Sequence, residues 1–231
     1  MYGKFLVEGD KLVRELLDSA IKIDTIFKLK GWEVPFERQN AEVIEVSEQD
    51  LRKIATHENP NRVVAVAFIP DIKPENESLN LKNGLYLACD ELSDPGNAGT
   101  IIRTAEWFGV QKIFFSENSV EVFNPKVVSA AKGSLFRIPC IYTPLDKLFS
   151  LNKHLKVYGT FMDGENIYNT PLDKNAFILI GNEANGINEK LQAFIQKRIA
   201  IPSFGKAESL NAAVATAIVL NEFKRTTNVI M

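Results

Sequence analysis

The chain contains 231 residues with a formal net charge of −2 at pH 7, and 45% of its residues are hydrophobic while 24% are charged. Its apolar runs are far too short to cross a bilayer, and we expect neither a membrane span nor a secretory signal. The charge excludes a protein that holds nucleic acid by bulk positive charge alone, so any nucleic-acid site must be a local basic patch.

The cysteines and histidines exclude two further classes of site. Cys89 and Cys140 lie far apart in the sequence, as do His57 and His154. Neither a zinc site of familiar spacing nor a disulfide framework can form from them. We therefore expect no metal, two buried thiols and a cytoplasmic location.

The first seventy residues alternate helical and extended patterns, which predicts a small α/β domain over residues 1–72. The segment GDKLVRELLDSA places its apolar residues on one face of a helix, at Leu12, Val13, Leu16, Leu17 and Ala20. Strands are predicted at IDTIFKL, AEVIEV and RVVAVAFI, the last one central because it is apolar and β-branched. Ser47 is expected to cap a short helix over EQDLRKIA.

A polar stretch and a second alternating region follow. The segment PDIKPENESLNLKNG lacks apolar periodicity, which predicts a linker over residues 73–82. Residues 83–231 then alternate strands (LYLACD, VQKIFFS, KVYGTF, AFILIG, RIAIP) with helices, near TIIRTAEWFG, NPKVVSAA and PLDKLFSL, after NGI, and at the end of the chain. This alternation predicts a mostly parallel sheet covered on both faces.

The first unusual loop is DPGNAGTIIRTAEWFGV. We interpret Pro95, Gly96 and Gly99 as a turn that lets backbone approach a partner, with Arg103 one turn inside the following helix and reaching back toward the strand ends. An ordinary strand–helix turn with a surface arginine explains the same residues. A nicotinamide-binding loop would need G-x-G-x-x-G, and only Gly96 and Gly99 are present.

The second loop is FILIGNEANGI. A buried strand runs into Gly181, Asn182, Glu183, Asn185 and Gly186, so backbone amides and a carboxylate converge at its end. A tight loop in which Asn and Gly adopt left-handed conformations is the alternative interpretation.

The third loop is IAIPSFGKAESLNAAVATA, which leads into a last helix that is small and apolar on nearly every side and is therefore expected to be buried. Pro202 ends a strand, and Ser209 is a natural N-cap for a helix that begins near Leu210. Asn211 either simply tolerates the first turn or joins Ser209 in one site. The second possibility requires Ser209 to lie before the helix and Asn211 just inside it.

Together and in this order, the three loops resemble the SpoU (TrmH-like) family of RNA ribose 2′-O-methyltransferases in the SPOUT superfamily. The match covers DPGNAGTIIRTAEWFGV, LIGNEANGI and IPSFGKAESLNAAVATAIVLNE. The segments FLVEGDKLVRELLDSAIKIDTIF and THENPNRVVAVAF resemble the RNA-binding domain often fused to it, which is similar to small ribosomal proteins. The resemblance implies a SPOUT α/β-knot domain with a parallel sheet and a C-terminal trefoil knot, S-adenosylmethionine as cofactor and a homodimer. It also implies an RNA substrate, ribosomal rather than transfer RNA.

The resemblance also implies site residues, carried over by position. The catalytic set is Asn97, Arg103, Glu183, Ser209 and Asn211. The cofactor-binding set, which acts mainly through backbone, is Thr160, Gly181, Asn182, Ile201, Pro202 and Leu210. Methyl transfer to a hydroxyl is an in-line displacement, so alignment is the main task of the protein. Because an arginine is essentially always protonated, we expect Arg103 to orient a phosphate and stabilise alkoxide character rather than to accept the proton.

Two departures and three alternatives accompany this interpretation. Only MYGK precedes the matching N-terminal segment, and Ala131 stands where the family is expected to carry a serine. His57 is either an RNA contact or an ordinary domain histidine. The alternatives are a transfer RNA methyltransferase, a non-catalytic RNA-binding relative and a nicotinamide-dependent enzyme.

Overall fold

The computed structural model describes residues 3–34, 41–56, 62–70 and 79–227, which form two β-sheets. The strands are β1 (Lys4–Glu8), β2 (Ile23–Lys28), β3 (Glu42–Glu45), β4 (Val63–Phe68), β5 (Leu85–Cys89), β6 (Ile113–Phe115), β7 (Cys140–Tyr142), β8 (Lys156–Asn166), β9 (Ala176–Ile180) and β10 (Lys197–Ala200). The helices are α1 (Asp10–Leu17), α2 (Glu48–Ile54), α3 (Pro95–Trp107), α4 (Pro125–Ala131), α5 (Leu145–Leu151), α6 (Glu189–Gln192) and α7 (Ala212–Thr227).

The first sheet has the order β1-β4-β2-β3, so β4 lies inside it as predicted. It pairs antiparallel with β1 and β2, whereas β2 and β3 are parallel. The predicted cap of α2 is confirmed, because Ser47 Oγ accepts a hydrogen bond from the amide of Asp50 at 3.2 Å. Strand β1, which the sequence analysis does not predict, completes the sheet.

Helix α1 is shorter than its apolar pattern predicts. Val13, Leu16 and Leu17 are buried, but Ala20 is exposed beyond the end of the helix. Its inclusion in the apolar face is wrong because the Ser19 hydroxyl donates to the Leu16 carbonyl at 2.7 Å and closes the last turn.

The second sheet has six strands in the order β10-β8-β9-β5-β6-β7, and every pairing is parallel. This confirms the predicted parallel sheet; β7 is an additional edge strand. Of the predicted linker, residues 73–78 lie outside the described residues, whereas Leu79 and Leu81 are buried. The Asn152 amide in the turn after α5 fixes them: its Nδ2 donates to Leu79 O at 2.8 Å and its Oδ1 accepts from Leu81 N at 2.9 Å.

The two sheets are joined by aromatic packing and by one arginine. The Phe5 ring of β1 lies 4.7 Å from the ring of Phe123, which precedes α4. Arg137 donates to Glu15 of α1 at 2.8 Å and to Glu106 of α3 at 2.5 Å. Glu15 of the first domain and Glu106 of the second are thereby bonded to the same guanidinium.

Helix α3 begins earlier than the sequence analysis places it, because the Asp94 side chain accepts from Asn97 N at 2.6 Å and starts the helix at Pro95. The interpretation of Pro95, Gly96 and Gly99 as a turn is therefore wrong, because all three lie within α3. Gly99 is helical, and a Cβ atom there would lie 2.5 Å from Ala130 Cβ and 2.8 Å from Val127 O. This glycine lets α3 and α4 pack in backbone contact. Within the described ranges, no helix is long and apolar enough to span a membrane.

The close contact between α3 and α4 predicts that a methyl group added at Gly99 destabilises the fold. We expect Gly99→Ala to lower the free energy of unfolding by about 1–2 kcal/mol, since overpacking outweighs the gain in helix propensity. Urea denaturation measures the change. Gly96→Ala in the same helix is the control, because its Cβ would meet only Asp94 Oδ1, at 3.1 Å, and stability should be unchanged or higher. Equal stability of G99A and the wild type would contradict this account.

Candidate active site

The strand order places two of the unusual loops side by side. Strand β5 has β6 on one side and β9 on the other, so the order of the parallel sheet reverses at β5. In open α/β sheets, ligands bind at such switch points, beyond the carboxyl ends of the strands. The loop after β5 and the loop after β9 both lie at that end.

A chain of hydrogen bonds joins the three loops. Asn97 Nδ2 donates to Glu183 Oε1 at 3.0 Å, and Asn211 Nδ2 donates to Asn97 Oδ1 at 2.7 Å. Glu183 Oε2 also accepts from the hydroxyl of Ser93 at 3.2 Å. The structure thus brings together three of the five predicted catalytic residues, and we call Asn211–Asn97–Glu183 the polar chain.

Glu183 is held by a tight loop. Asn182 and Gly186 exchange two backbone hydrogen bonds, at 2.9 and 3.0 Å, and the Asn182 side chain donates to the carbonyl of Glu91 at 2.7 Å. A Cβ on Gly181 would lie 2.4 Å from Gly186 C, so the loop itself requires this glycine. Asn182, predicted to bind cofactor, has its side chain engaged in fixing the loop.

The hydrogen bonds keep the carboxyl of Glu183 ionised. Burial raises its pKa, but the hydrogen bonds from Asn97, from its own backbone and from Ser93 outweigh that effect and lower the pKa below the ordinary 4.5. A carboxyl with a lowered folded pKa contributes stability above its unfolded pKa and loses that contribution as the pH falls through the folded pKa.

Sequence reasoning missed three residues that follow β5. Asp90 is buried and accepts from the amide of Asn188 at 2.8 Å, while burial raises its pKa. Glu91 adopts a positive φ of 51°, and its carbonyl anchors Asn182. Ser93 supports Glu183. An acidic pair directly after a fully apolar strand is a signal that could have pointed to Asp90 and Glu91.

The start of α7 differs from the prediction. The Asn211 side-chain oxygen accepts from the amides of Ala213 at 2.9 Å and Val214 at 3.3 Å, so Asn211, not Ser209, is the N-cap. Asparagine caps as well as serine does, and at this position it also reaches Asn97. Ser209 and Leu210 precede the helix, and Ser209 is exposed and makes no recorded hydrogen bond to the described residues.

Helix α7 is also not buried on every side. Ala213, Thr216, Leu220 and Phe223 face the core, whereas Val214 is 49% exposed. The prediction of a fully buried helix is wrong because the apolar sequence covers two faces, and only one of them packs within this chain.

Arg103 lies apart from the polar chain. It is about two turns inside α3 because the helix begins at Pro95, and six residues from Asn97 correspond to about 9 Å along the axis and a different face. The expectation that Arg103 reaches back toward the strand ends is therefore wrong within one chain. Its exposed side chain lines a cavity of about 710 Å³ between α1, α3 and the end of α4.

Three of the predicted cofactor-binding residues, Ile201, Pro202 and Leu210, lie in the segment that precedes α7, while Thr160 lies in β8 and Gly181 and Asn182 follow β9. The Thr160 hydroxyl donates its proton to Leu179 O at 3.1 Å, so it can offer a ligand only an acceptor. Ile201 and Pro202 are half-buried, and Leu210 is 48% exposed. The amides of residues 203–210 donate no recorded hydrogen bond to other described residues. Free backbone groups beside an apolar side chain are a donor set that fits an adenine ring.

The remaining titratable groups do not form a second centre. Across residues 3–34, 41–56, 62–70 and 79–227, no group of three or more His, Cys, Asp or Glu side chains is placed to hold a metal ion. Cys89 and Cys140 are free and buried as predicted, and burial raises the pKa of Cys140 to about 12. Ala131 is buried as well, and His57 lies outside the described residues.

Comparisons with known protein families, sequences and structures all point to one family of RNA methyltransferases. The sequence model of the SpoU rRNA methylase family matches residues 84–221, and that of the MRM3-like substrate binding domain matches residues 1–65. A 23S rRNA guanosine 2′-O-methyltransferase of Bacillus subtilis is 31% identical, over 94% of this chain and 86% of its own length.

Two solved structures share the fold over nearly the whole chain. A TrmH-family protein from Porphyromonas gingivalis has a TM-score of 0.85 and 36% identity, covering 97% of this chain and 91% of its own. An AdoMet-bound rRNA methyltransferase from Sinorhizobium meliloti has a TM-score of 0.85 and 30% identity, covering 96% of this chain and 87% of its own.

The polar chain predicts a change in the titration of Glu183. Asn97→Ala removes the donor to Glu183 Oε1, so the pKa of Glu183 should rise while its burial is kept. Carboxyl ¹³C NMR as a function of pH measures the shift. Thr100→Ala is the control, because its hydroxyl bonds only to Gly96 O, at 2.8 Å. A Glu183 titration that is the same in N97A and the wild type would show that Asn97 does not stabilise the carboxylate.

Proposed function

We propose, given that this chain belongs to the SpoU rRNA methylase family, that it is an enzyme which transfers a methyl group from S-adenosylmethionine to a ribose 2′-hydroxyl of ribosomal RNA. The polar chain carries the proposal, because it joins one residue from each of the three loops at the strand switch. The AdoMet-bound rRNA methyltransferase that shares the fold supports both the cofactor and the substrate class.

Each predicted catalytic residue has a role in this proposal. S-adenosylmethionine supplies an electrophilic methyl group on a sulfonium sulfur. The ionised Glu183 fixes the Asn97 amide, and Asn97 in turn fixes Asn211 at the start of α7. Ser209, which is exposed and lies two residues before Asn211 of the polar chain, is available to bind the ribose. Arg103 lies on another face of α3 from Asn97. It is therefore proposed to act at a site completed across the homodimer, where it orients a phosphate and stabilises negative charge that develops on the attacking oxygen.

The cofactor is proposed to bind against backbone at Thr160, Gly181, Asn182, Ile201, Pro202 and Leu210. The free amides of residues 203–210 support this, because neutral backbone donors and acceptors suit an adenine edge. We further propose that α7 and the segment before it form the C-terminal trefoil knot of the SPOUT fold. The irregular pairing of β8 with β10, where the register shifts between Arg198 and Ile199, is compatible with a threaded segment beside this edge.

We propose that residues 1–72 recognise RNA, that residues 73–82 link the two parts and that residues 83–231 carry out catalysis. The match of residues 1–65 to a substrate-binding domain supports this division. Residues 1–72 carry ten Lys and Arg against thirteen Asp and Glu residues, so this domain has no basic excess and would have to read structured RNA through local contacts to its shape and 2′-hydroxyls. The relatives favour ribosomal over transfer RNA.

The chain is further proposed to act as a homodimer in the cytoplasm. The exposed side of α7 supports dimerisation, since Val214 and Leu210 are 49% and 48% exposed next to the polar chain. An apolar patch of this kind beside a site is typical of a protein–protein contact. The two free, buried cysteines suit a reducing compartment.

Ligand binding tests the cofactor without requiring the RNA. S-adenosylmethionine at 100 times its dissociation constant should stabilise the folded protein by about 2.7 kcal/mol, measured as a rise in the thermal midpoint. Its demethylated product should act similarly, and NAD is the negative control. Stabilisation by NAD but not by S-adenosylmethionine would overturn the methyltransferase assignment in favour of a nicotinamide-dependent enzyme.

Removal of the arginine tests the chemistry. Arg103→Ala should bind S-adenosylmethionine normally but lose methyl transfer to ribosomal RNA by about 100-fold or more, as expected for a lost electrostatic contact to developing charge. Mapping of ribose methylation in total RNA from cells lacking the gene, complemented with wild type or variant, locates the modified site.

The exposed Lys153→Ala on the far side of the sheet is the matched control and should restore methylation. Full methylation by R103A would remove Arg103 from the site. Methylation of transfer RNA alone would correct the substrate, and methylation of no RNA would favour a non-catalytic relative.

A further inference from the structure

We infer that the cavity between α1, α3 and the end of α4 is a nucleotide-binding subsite, in which Trp107 stacks on a base of the RNA next to the nucleotide held by Arg103. This inference rests on the proposed function and adds a positioning residue to it. Trp107 belongs to none of the predicted site residues.

Helix geometry places Trp107 beside Arg103. The two residues are four apart in α3, so their side chains lie on the same face, and both line the cavity of about 710 Å³. The opposite wall is formed by residues 8–12 and Glu15 of the first domain. A nucleotide in this cavity would therefore contact both the catalytic helix and the RNA-binding domain.

The exposure of Trp107 needs an explanation. Its side chain is 83% exposed, although the residue before it, Glu106, is tied to Arg137 and Ser134 and the helix is well anchored there. An exposed indole on a rigid helix is a ready stacking surface for any base, because every base has a π-face.

The charges of the cavity favour an anionic occupant. Its acidic side chains are already engaged: Asp10 by Arg14 and Trp32, Glu15 and Glu106 by Arg137, and Glu8 by Thr56. Three cations, Lys11, Arg103 and Lys132, make no recorded hydrogen bond or ion pair with the described residues. These free cations are available for phosphates on either side of a stacked base.

Lys132 has a strained backbone conformation. Its backbone has φ 50° and ψ −170°, a region that is nearly restricted to glycine. Strained backbone of this kind clusters at ligand-binding sites, and its presence at a cationic residue on the cavity rim agrees with a ligand there.

The first experiment measures RNA affinity and activity of Trp107→Ala. Unmodified ribosomal RNA from cells lacking the gene serves as the probe. The concentration of RNA at half-maximal methylation should rise by roughly 5- to 150-fold, the range for loss of one base–aromatic stack, while kcat and S-adenosylmethionine binding stay unchanged. Trp107→Phe should recover much of the affinity. Tyr168→Ala, which removes another exposed aromatic ring, is the matched control.

Intrinsic fluorescence gives a readout that does not depend on catalysis. The chain has two tryptophans, and Trp32 is 2% exposed, so quenching by acrylamide reports mainly on Trp107. Ribosomal RNA should protect this signal, and duplex DNA at equal phosphate concentration should not. If the wild type methylates no RNA but protection is seen, the proposed activity fails while the subsite stands.

Two outcomes would overturn the inference. One is a W107A enzyme with unchanged RNA dependence and a wild type whose Trp107 stays accessible to acrylamide in the presence of RNA. The other is a change of sedimentation coefficient in W107A, which would assign Trp107 to a contact between protein chains.

The Lys132→Gly variant tests whether Lys132 contributes to RNA affinity independently of its effect on protein stability. The variant removes a cation and relieves the backbone strain, so its thermal midpoint should equal or exceed that of the wild type while RNA binding weakens and its salt dependence falls by about one phosphate contact. Unchanged RNA affinity together with higher stability would exclude Lys132 from the subsite.

Discussion

The hydrogen bond between Asn97 and Glu183 is the interaction on which the rest of the site depends. It joins the first turn of α3 to the loop after β9, and Asn211 adds the cap of α7 to the same amide. Three segments that are distant in the sequence are thereby fixed at one end of the sheet. Each partner has a second anchor: Asn97 lies in a helix capped by Asp94, Glu183 is bound by Ser93, and Asn211 caps α7.

This arrangement explains why so much of the chain serves to position so few side chains. The parallel sheet brings the ends of β5 and β9 together, and Gly99 lets α4 support α3 from behind. Arg137 then ties α3 to the first domain through Glu106 and Glu15. The polar chain and the cavity with Arg103 and Trp107 are therefore two sites on one helix, supported by the same core.

The sequence predicted the elements whose signals are local. Ser47 and its helix, the central β4 and the parallel sheet follow from capping, β-branching and strand–helix alternation. The role of a residue could not be predicted from the sequence where that role depends on tertiary contacts. Asn211 is the cap, rather than Ser209, because it also bonds to Asn97, and Gly99 serves helix packing, which only the position of α4 reveals. The apolar runs of β1 (Phe5–Val7) and β7 (Cys140–Tyr142) are only three residues long, which is too short to indicate a strand without the neighbours with which they pair.

The continuity of α3 has a consequence for how this protein could change over evolution. Asn97 and Arg103 occupy one uninterrupted helix, so the insertion of a single residue between them would turn Arg103 by about 100° and move it by about 1.5 Å. The guanidinium would leave the cavity even though every side chain was retained. In this segment the length of the chain is constrained as tightly as the identity of its residues, and insertions are expected to accumulate in the connections outside it.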